Sequence, residues 1–477
     1  MKKVLLVNTN QETNPYPVPP LGLCLVAGVL SGEYEVRLFD GTFTGTSGLA
    51  ETLEAFKPDY VGVTIRNIDD MDILDPTRYL EPIRDTFIKT IRKHSRAPLI
   101  LGGSAFSIFP EFLVALFGAD YGVIGEGEHV FPELIRCLDR GGDTSDIPGV
   151  LSAGGRGLVP AAGTYDLGKL PFSEIDRKID FTLYRARGSY PVQTKRGCAH
   201  RCIYCTYNCI EGTSYRLRRP SQIADEIEQA AGRLGGVTFE FVDSTFNDPP
   251  GHAEEICREI TRRKLGIRLR TMGINPAHAT AGLFELMREA GFAQVDCTPD
   301  TASPRMLVNL QKNFTIDHLR ETARIVREFD MPTMWFFIFG GPGETDDTIK
   351  ESFDFIDAHI TKKDMVHMTA GLRIYPGTGL YGRAIRDGVI EEGDPVVETR
   401  FYVSPDIGKE RLFELLHQAS LSRPNCIPVT ESTPPPAMMG RAVKMREELG
   451  LTEPMFRSLL RIRYGMMGRD MDEIKVK

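Results

Sequence analysis

Three cysteines, Cys198, Cys202 and Cys205, are separated by three and then two residues within one short stretch of the chain. Three thiolates on one loop can hold three corners of a cubane iron–sulfur cluster. The fourth iron then lacks a protein ligand, and an open position distinguishes a catalytic metal site from a closed structural one. The spacing therefore predicts a [4Fe-4S] cluster whose free iron takes a further ligand.

Other interpretations of the cysteines are a zinc site, a disulfide or ordinary buried thiols. A structural zinc site usually has four ligands, and the candidates for the fourth are His200 and Cys209. His200 lies inside the first gap, where the loop could hardly turn it onto the same metal, whereas Cys209 follows Cys205 by a further three-residue gap. A disulfide is not expected in a chain with cytosolic character.

The composition of the 477 residues is that of an ordinary globular protein, with 42% hydrophobic and 26% charged residues. A net charge of -8 argues against a nucleic-acid-binding surface. The apolar run Val4–Val7 is too short for a signal peptide, and no window approaches 18 consecutive apolar residues. We therefore expect a monomeric cytoplasmic protein without a membrane span.

Strand and helix patterns alternate over residues 1–140, which predicts a parallel sheet with helices on both faces. The expected strands are Val4–Val7, Val36–Phe39, Tyr60–Ile65, Leu99–Leu101 and Tyr121–Ile124. Ligands of such sheets bind at the carboxyl ends of the strands. The loop after the first strand has no Gly-x-Gly-x-x-Gly sequence, so a dinucleotide is not indicated. Glycines after the fourth and fifth strands, taken alone, are most often simple turns.

The alternation begins again at Tyr190. The expected strands are Val192–Thr194, Thr238–Val242, Ile267–Met272, Phe292–Cys297, Thr333–Phe339 and Val366–Leu372. About six β/α units, with the cysteines directly after the first strand, predict a partial barrel whose site lies at the carboxyl ends of its strands. Trp335 and Tyr375 are expected to contribute to the wall of the substrate pocket.

These patterns divide the chain into four segments. Residues 1–140 form an α/β domain, 141–185 a linker, 186–385 a partial (β/α)6 barrel, and 386–477 a small, mostly helical C-terminal cap.

Several strand-end segments of the first domain resemble the cobalamin-binding, Rossmann-like domain of B12-dependent radical SAM enzymes. The segments are Pro19–Gly22, Asp40–Gly41, Val63–Thr64, Leu101–Gly103 and Ile124–Glu128. The resemblance implies that cobalamin contacts the strand ends through Thr64, Gly102, Gly103, Ser104, Gly125, Glu126 and Gly127. The Asp-x-His-x-x-Gly signature, whose histidine ligates cobalt in other B12 proteins, is missing, and no histidine precedes His94. Arg66 is the candidate for the lower face of the corrin, although a solvated or salt-bridged loop arginine is an equally good interpretation.

Residues 190–375 resemble the radical SAM superfamily, with its TIM-barrel-like fold. The resemblance implies that S-adenosylmethionine (SAM) chelates the free iron and that Tyr204 lies by the adenine, although Tyr204 could equally be a packing residue. It implies further that Asp243 holds the SAM amine. Asp300 stands where the family usually has glutamate, so its role at the SAM ribose is open. Gly340 and Gly341 belong to the glycine-rich segment that passes the adenine.

The function that the resemblance implies is transfer of a methyl group from SAM, through methylcobalamin, to an unactivated carbon of a small molecule or peptide. The cofactors would be a [4Fe-4S] cluster, SAM and cobalamin, with a flavodoxin or ferredoxin as electron donor. Two alternatives stay open. One is a B12-dependent cyclase or ring-rearranging enzyme without methyl transfer, and the other is a non-enzymatic electron-transfer or sensor protein.

Overall fold

A computed structural model describes residues 1–14, 16–155, 165–185, 188–428 and 434–471 of the chain. Two α/β units, each built on its own sheet, are followed by two C-terminal helices. None of the helices in these ranges is long and apolar enough to cross a membrane.

The N-terminal domain, residues 1–155, contains one six-stranded sheet. Its strands are β1 (Lys3–Asn8), β2 (Glu35–Asp40), β3 (Tyr60–Thr64), β4 (Leu99–Gly102), β5 (Tyr121–Val123) and β6 (Val150–Ser152). Its helices are α1 (Leu21–Leu30), α2 (Leu49–Phe56), α3 (Leu80–Ile83), α4 (Lys89–His94), α5 (Ser104–Ile108), α6 (Pro110–Phe117) and α7 (Gly127–Asp139), with a π-helical turn (Arg84–Ile88) between α3 and α4.

The order of this sheet is β2-β1-β3-β4-β5-β6, and its first five strands are parallel. The predicted parallel sheet is therefore confirmed. Strand β6 pairs antiparallel with β5, so the sheet continues past residue 140, where the predicted linker was to begin. Three residues are too few for β6 to show a periodic pattern. Because the chain leaves β1 toward β2 and returns to β3 on its other side, the carboxyl ends of β1 and β3 form the crevice in which such sheets bind ligands.

The segment that joins the two domains is well packed where the structure describes it. It contains short 3₁₀ turns, Leu167–Lys169 and Phe172–Arg177, and helix α8 (Thr182–Arg185). Phe172 and Tyr184 are buried in the hydrophobic core of the second domain together with Leu25 of α1. Residues 156–164 of the predicted linker lie outside the described residues.

The barrel domain, residues 188–428, follows. Its strands are β7 (Tyr190–Val192), β8 (Lys195–Arg196), β9 (Arg216–Leu217), β10 (Thr238–Phe241), β11 (Arg268–Ile274), β12 (Phe292–Asp300), β13 (Thr333–Phe339), β14 (Met365–Ala370), β15 (Leu372–Arg373), β16 (Phe401–Tyr402) and β17 (Cys426–Pro428). Its helices are α9 (Tyr207–Glu211), α10 (Pro220–Leu234), α11 (His252–Arg263), α12 (Ala281–Ala290), α13 (Pro304–Asn309), α14 (Ile316–Glu328), α15 (Asp346–His359), α16 (Gly379–Arg386) and α17 (Lys409–Ser422), with a 3₁₀ turn at Pro276–His278.

Seven of these strands form a parallel sheet in the order β17-β14-β13-β12-β11-β10-β7. The six predicted strands are all present, which confirms the partial barrel. The seventh, β17, lies in the segment predicted to be a small, mostly helical cap. It is too short to be recognised from its sequence and forms because it pairs with β14.

The C-terminal helices α18 (Pro436–Leu449) and α19 (Met455–Met466) lie at the amino ends of the barrel strands. Arg457 of α19 contacts Asp364, directly before β14, with 3.3 Å between the guanidinium and carboxylate. Arg268, at the start of β11, donates to the carbonyl of Thr452 between the two helices. Both contacts are at the opposite end of the barrel from the loop that follows β7, so the helices close the base and lie far from the cysteines.

Alternate residues of β13 face opposite sides of the sheet. Trp335, Phe337 and Phe339 are buried against the surrounding helices, whereas Met334, Phe336 and Ile338 face the barrel interior. The prediction that Trp335 forms a pocket wall is therefore wrong, because its side chain is fully buried in the helical layer.

Candidate functional site: a cysteine loop facing an interdomain cavity

The three cysteines lie on a loop that is closed by a small antiparallel ribbon, in which β8 pairs with β9. Cys198 N–H donates to the carbonyl of Gly212, and Ile203 N–H donates to the carbonyl of Leu310. Gly197 has a φ of 88°, and a Cβ at this position would lie 2.1 Å from the carbonyl oxygen of Ser214. Only glycine therefore fits where the two sides of the loop approach each other.

The thiols are partly or fully enclosed, as a cluster site requires. Cys198 is buried, whereas Cys202 and Cys205 keep some exposure. Burial raises the pKa of Cys205 to about 12 and also raises the pKa of Cys202, so iron would have to displace their protons. Among the described residues, no three His, Cys, Asp or Glu side chains are arranged around a single metal ion. A cubane does not need such an arrangement, because each thiolate binds a different iron.

The two candidates for a fourth zinc ligand are directed elsewhere. His200 Nε2 lies 2.8 Å from Asp248 Oδ2, and Asp248 also binds His278 and Asn275. Cys209 lies in α9 beyond the loop, with an exposed thiol. The geometry therefore fits three thiolates and an iron–sulfur cluster better than a closed zinc site.

Asp243 anchors the cysteine loop to the end of β10. Its carboxylate accepts hydrogen bonds from the backbone N–H of Thr194 at 2.8 Å and of Lys195 at 3.2 Å. It also accepts from the Thr194 hydroxyl at 2.6 Å and lies 3.5 Å from the Lys195 ammonium. These partners use most of its acceptor positions. A contact between Asp243 and the SAM amine stays a prediction.

Asp300 is held by two partners beside the cysteines. It accepts from the hydroxyl of Tyr204 and from the ammonium of Lys312, the latter at 2.7 Å. Burial opposes the ammonium charge, but Asp300 and the nearby thiols outweigh it and raise the pKa of Lys312 above its ordinary value. Lys312 is not predicted from the sequence, because no local pattern connects it with Asp300. Roles for Tyr204 at the adenine and for Asp300 at the ribose stay predictions.

The glycine-rich turn after β13 is fixed by its own glutamate. Gly340 has a φ of 94° and donates its N–H to Glu344 at 3.1 Å, while Thr348 donates to the second carboxylate oxygen. Gly341 follows in the same turn, and burial raises the pKa of Glu344 to about 7. The turn is therefore preformed, which is compatible with the predicted passage of the adenine.

A cavity of about 370 Å³ lies over the carboxyl ends of the N-terminal strands and reaches the barrel. Such a volume is typical of small-molecule and cofactor sites. All the residues predicted to hold cobalamin line this interdomain cavity, namely Thr64, Arg66, Gly102, Gly103, Ser104, Gly125, Glu126 and Gly127. On the barrel side it is lined by Pro191, Gln193, Arg196, Ile210, Glu211 and Val242. The cavity contains no histidine among these lining residues.

Arg66 extends into the cavity without a polar partner among the described residues. Burial lowers the pKa of Arg66, although the guanidinium remains charged near neutral pH. Its backbone is fixed because Ser104 donates to the Arg66 carbonyl at 2.9 Å. The structure therefore shows no salt bridge at Arg66, and its exposed side chain is compatible both with a solvated loop arginine and with a cation that faces the corrin. The role of Arg66 at the corrin stays a prediction.

Glu126 lines the cavity and also forms an ion pair with the barrel domain. It forms a two-pronged ion pair with Arg216 of β9, with one oxygen–nitrogen distance of 3.0 Å. The neighbouring Glu128 pairs with Arg196 of β8. These pairs join the cavity rim to the ribbon that closes the cysteine loop, and they were not predicted. Because its carboxylate is already paired, Glu126 is better described as a domain connector than as a free cofactor ligand.

Comparison with known proteins agrees with this two-site arrangement. The radical SAM superfamily model matches residues 192–356, and the B12 binding domain model matches residues 11–135. The tryptophan 2-C-methyltransferase of Streptomyces laurentii is 27% identical, over 87% of this chain and 79% of its own length. An anaerobic magnesium-protoporphyrin IX monomethyl ester cyclase of Rubrivivax gelatinosus is 25% identical, over 74% of this chain and 65% of its own.

A solved structure covers nearly the whole chain. The radical SAM methyltransferase TsrM of Kitasatospora setae, with cobalamin and a [4Fe-4S] cluster bound, is 25% identical and superimposes with a TM-score of 0.81. The match covers 98% of this chain and 99% of TsrM, and TsrM has also been solved with tryptophan and a SAM analogue. Both domains, in the same order and arrangement, are thus shared with a cobalamin enzyme. The chain belongs to the cobalamin-dependent radical SAM enzymes.

Proposed function

We propose that this enzyme is a methyltransferase that moves a methyl group from SAM, by way of cobalamin, to a carbon atom of a small-molecule substrate. The observation that carries the proposal is the interdomain cavity, because residues of the N-terminal strand ends and of the barrel line the same space. A substrate in the barrel would therefore face a corrin bound above it. The similarity to two methyltransferases over most of the chain supports the same reaction.

The residues present fit the three cofactors. Cys198, Cys202 and Cys205 would hold the cluster, and the strand-end glycines of the N-terminal domain leave room for the corrin and its nucleotide. Tyr204 and the Gly340–Gly341 turn would border SAM. When bound, cobalamin carries the methyl group, while SAM donates it and the cluster supplies electrons.

The protein itself contributes position and charge. The domain-connecting ion pairs of Glu126 and Glu128 fix the cysteine loop against the cavity rim. Arg66 would place a positive charge beside a bound corrin, and none of the residues that line the cavity is a histidine. The closed base of the barrel keeps bulk water from entering from that side. Such an enclosed site suits a carbon atom that cannot be activated by simple deprotonation.

We further propose that the enzyme works as a monomer in the cytoplasm with a flavodoxin or ferredoxin as its electron donor. All nine cysteines are free thiols in the structure, which suits a reducing compartment.

The test is anaerobic reconstitution with iron, sulfide, hydroxocobalamin, methyl-labelled SAM and a chemical reductant, which reduces the cobalamin so that it can accept a methyl group. We expect cluster absorbance and label on cobalamin in the wild-type protein, and loss of cluster absorbance in Cys202→Ala. Cys257→Ala is the matched control, because Cys257 is buried in α11 within the hydrophobic core and should keep the cluster. Cluster absorbance that survives in Cys202→Ala would contradict the proposed ligand set.

A ring-forming reaction without methyl transfer is the second candidate, because cyclases are among the relatives. It predicts that SAM is cleaved to deoxyadenosine while no label leaves the methyl position. An electron-transfer or sensor protein would consume no SAM at all.

A further inference from the structure

The interior of the barrel is only partly filled by side chains. Interiors of (β/α) barrels are normally packed by layers of branched residues. Here Met272, in the middle of β11, is 47% exposed. Phe336 of β13 and His367 of β14, which face the same interior, are only half-buried. A hollow therefore lies inside the ring of strands.

The base of this hollow is defined by α19. Met334 and Met365, the inner-facing residues nearest the amino ends of β13 and β14, pack against Phe456, Leu460 and Tyr464 of that helix. Phe336 and His367 come two residues later on the same strands and form a register pair. Phe336 and His367 therefore form the first layer of side chains above α19, and this layer is the floor of the hollow.

The floor consists of two stacked aromatic rings, and the imidazole of one of them makes no hydrogen bond to the described residues. The rings of Phe336 and His367 stack with 4.7 Å between centroids and an interplanar angle of 5°. The imidazole makes no hydrogen bond to the described residues, and its nitrogens are not sealed from the hollow. Burial lowers the pKa of His367 to about 4, so the ring is neutral near pH 7 and has one nitrogen free to accept.

The charged groups on the neighbouring strands are engaged in hydrogen bonds, and two of them, Glu240 and Arg270, form an ion pair. Glu240 accepts from the Tyr16 hydroxyl at 2.8 Å and lies 2.9 Å from the Arg270 guanidinium. Asp296 accepts from Gln294 at 2.9 Å, and burial raises the pKa of Asp296 to about 7. Asp296 has no charged partner among the described residues, but its raised pKa allows the carboxyl to be protonated near pH 7. Arg270 is paired with Glu240, so an anionic substrate group would find no free cation among these groups.

The hollow also adjoins the interdomain cavity. Gln193 and Val242 follow β7 and β10 on their inner side, and both line that cavity. A molecule that rests on the floor would therefore have its other end toward the corrin site.

We infer that the hollow binds an uncharged aromatic ring of the substrate against the Phe336–His367 pair, with an N–H or O–H of that ring donating to His367. The assignment rests on the proposed function in taking this ring system as the methyl acceptor. Aromatic contacts and the Met272 thioether favour a flat ring over an aliphatic one. His367 thereby becomes a specificity-determining residue, because a buried acceptor discriminates against ligands that lack the donor.

The experiment uses equilibrium dialysis of the cobalamin- and cluster-loaded protein with three probes: indole, indene and cyclohexylmethanol. Indene has the shape of indole without its N–H. We expect indole to bind about fivefold more tightly than indene, the ratio that one net hydrogen bond supplies, and cyclohexylmethanol to bind more weakly than either. In His367→Phe, which keeps the stack, the preference for indole over indene should disappear.

Two further variants guard against effects on folding. Met368→Leu changes the neighbouring residue, which faces the helical layer, and should keep the preference. His367→Gln offers an amide oxygen as acceptor and should therefore keep part of the preference for indole over indene that His367→Phe loses. Equal binding of indole and indene to the wild-type protein overturns the inference, as does a preference that survives in His367→Phe or tighter binding of the aliphatic alcohol.

The dialysis experiment tests the binding site, and the labelling experiment tests the proposed function, so the two can be contradicted separately. An indole preference in a protein that moves no label from SAM would leave the binding site standing and remove the proposed function. Label transfer without any aromatic preference would do the reverse.

Discussion

Asp69 and Arg373 form an ion pair across the boundary between the two domains, with 2.9 Å between Oδ2 and Nε and almost no exposed side-chain surface on either residue. The same carboxylate oxygen accepts from Thr399, and the guanidinium also donates to the carbonyls of Ile374 and Val396. Asp69 lies three residues after Arg66 in the loop that follows β3. The barrel therefore holds in place the loop that carries the cavity's unpaired cation.

We expect Arg373→Met to destabilise the protein strongly, because Asp69 would be left buried without its counterion. Breaking a buried pair from one side typically costs ~3–5 kcal/mol. The measurement is the urea midpoint of the loaded protein, together with its affinity for hydroxocobalamin, which should fall as the Arg66 loop loosens.

The exposed pair Lys350–Asp354 on α15 serves as the control, since Lys350→Ala should leave the urea midpoint almost unchanged. Asp69→Leu combined with Arg373→Met should recover part of the lost stability, because no isolated charge remains. A midpoint unchanged in Arg373→Met would show that the pair contributes nothing.

The repeated strands and the position of the cysteines could be predicted because each depends on local patterns. Every predicted strand of the barrel except the first, Val192–Thr194, has apolar residues that alternate or run continuously over four or more positions. Strands β6 and β17 have three residues each, and both form only because a neighbouring strand accepts them. Sequence periodicity does not report such pairing.

The partners of the site residues could not be predicted for a similar reason. Asp300 and Lys312 are joined through folding, as are Glu126 and Arg216, which are 90 positions apart. The family resemblance located Asp243 and Asp300 at strand ends, but their hydrogen bonds show that each carboxylate is already engaged. Trp335 was misassigned because alternation along a strand does not say which face points inward.

The buried pair of Lys312 and Asp300 predicts an effect on the cluster potential. Lys312 is held within electrostatic reach of Cys202 and Cys205, so its charge favours the reduced, more negative cluster. We expect Lys312→Met to lower the reduction potential on the order of 50 mV, with charge and hydrogen bonding as the cause.

Redox titration followed by EPR of the reduced cluster measures this change. Lys312→Arg keeps the charge and should keep the potential near that of the wild type. If Lys312→Arg shifted the potential as far as Lys312→Met, geometry rather than charge would be responsible.

The buried carboxyl of Glu344 predicts that stability falls as pH rises. Its folded-state pKa of about 7 lies above the ordinary value, so the folded protein binds the proton more tightly than the unfolded chain. The stabilisation is complete below the ordinary pKa and is lost as pH rises toward 7, an effect of ~3 kcal/mol. Asp296 and Asp364, whose pKa values burial raises to about 7 and about 6, act in the same direction.

Comparing urea midpoints at pH 5 and pH 8 tests this dependence. Glu344→Gln should lose less stability between the two pH values than the wild type, because its amide does not ionise. Glu351→Gln changes an exposed residue of α15, the helix that follows the turn, and should follow the wild type. Identical pH dependence in Glu344→Gln and wild type would show that Glu344 does not titrate in this range.

The close approach at Gly197 predicts a specific loss of cluster binding. Alanine there would force a left-handed conformation on a residue with a side chain, at a cost of ~1–2 kcal/mol. It would also place a methyl group against the carbonyl of Ser214, so the two sides of the cysteine loop must separate. We expect Gly197→Ala to bind less than half the iron and sulfide of the wild type after reconstitution, while it still binds hydroxocobalamin.

Gly388→Ala is the matched control, because Gly388 has a φ of 70° but nothing within 4 Å of an added Cβ. Full iron content in Gly197→Ala, or an equal loss in Gly388→Ala, would show that the contact with Ser214 does not determine the shape of the loop.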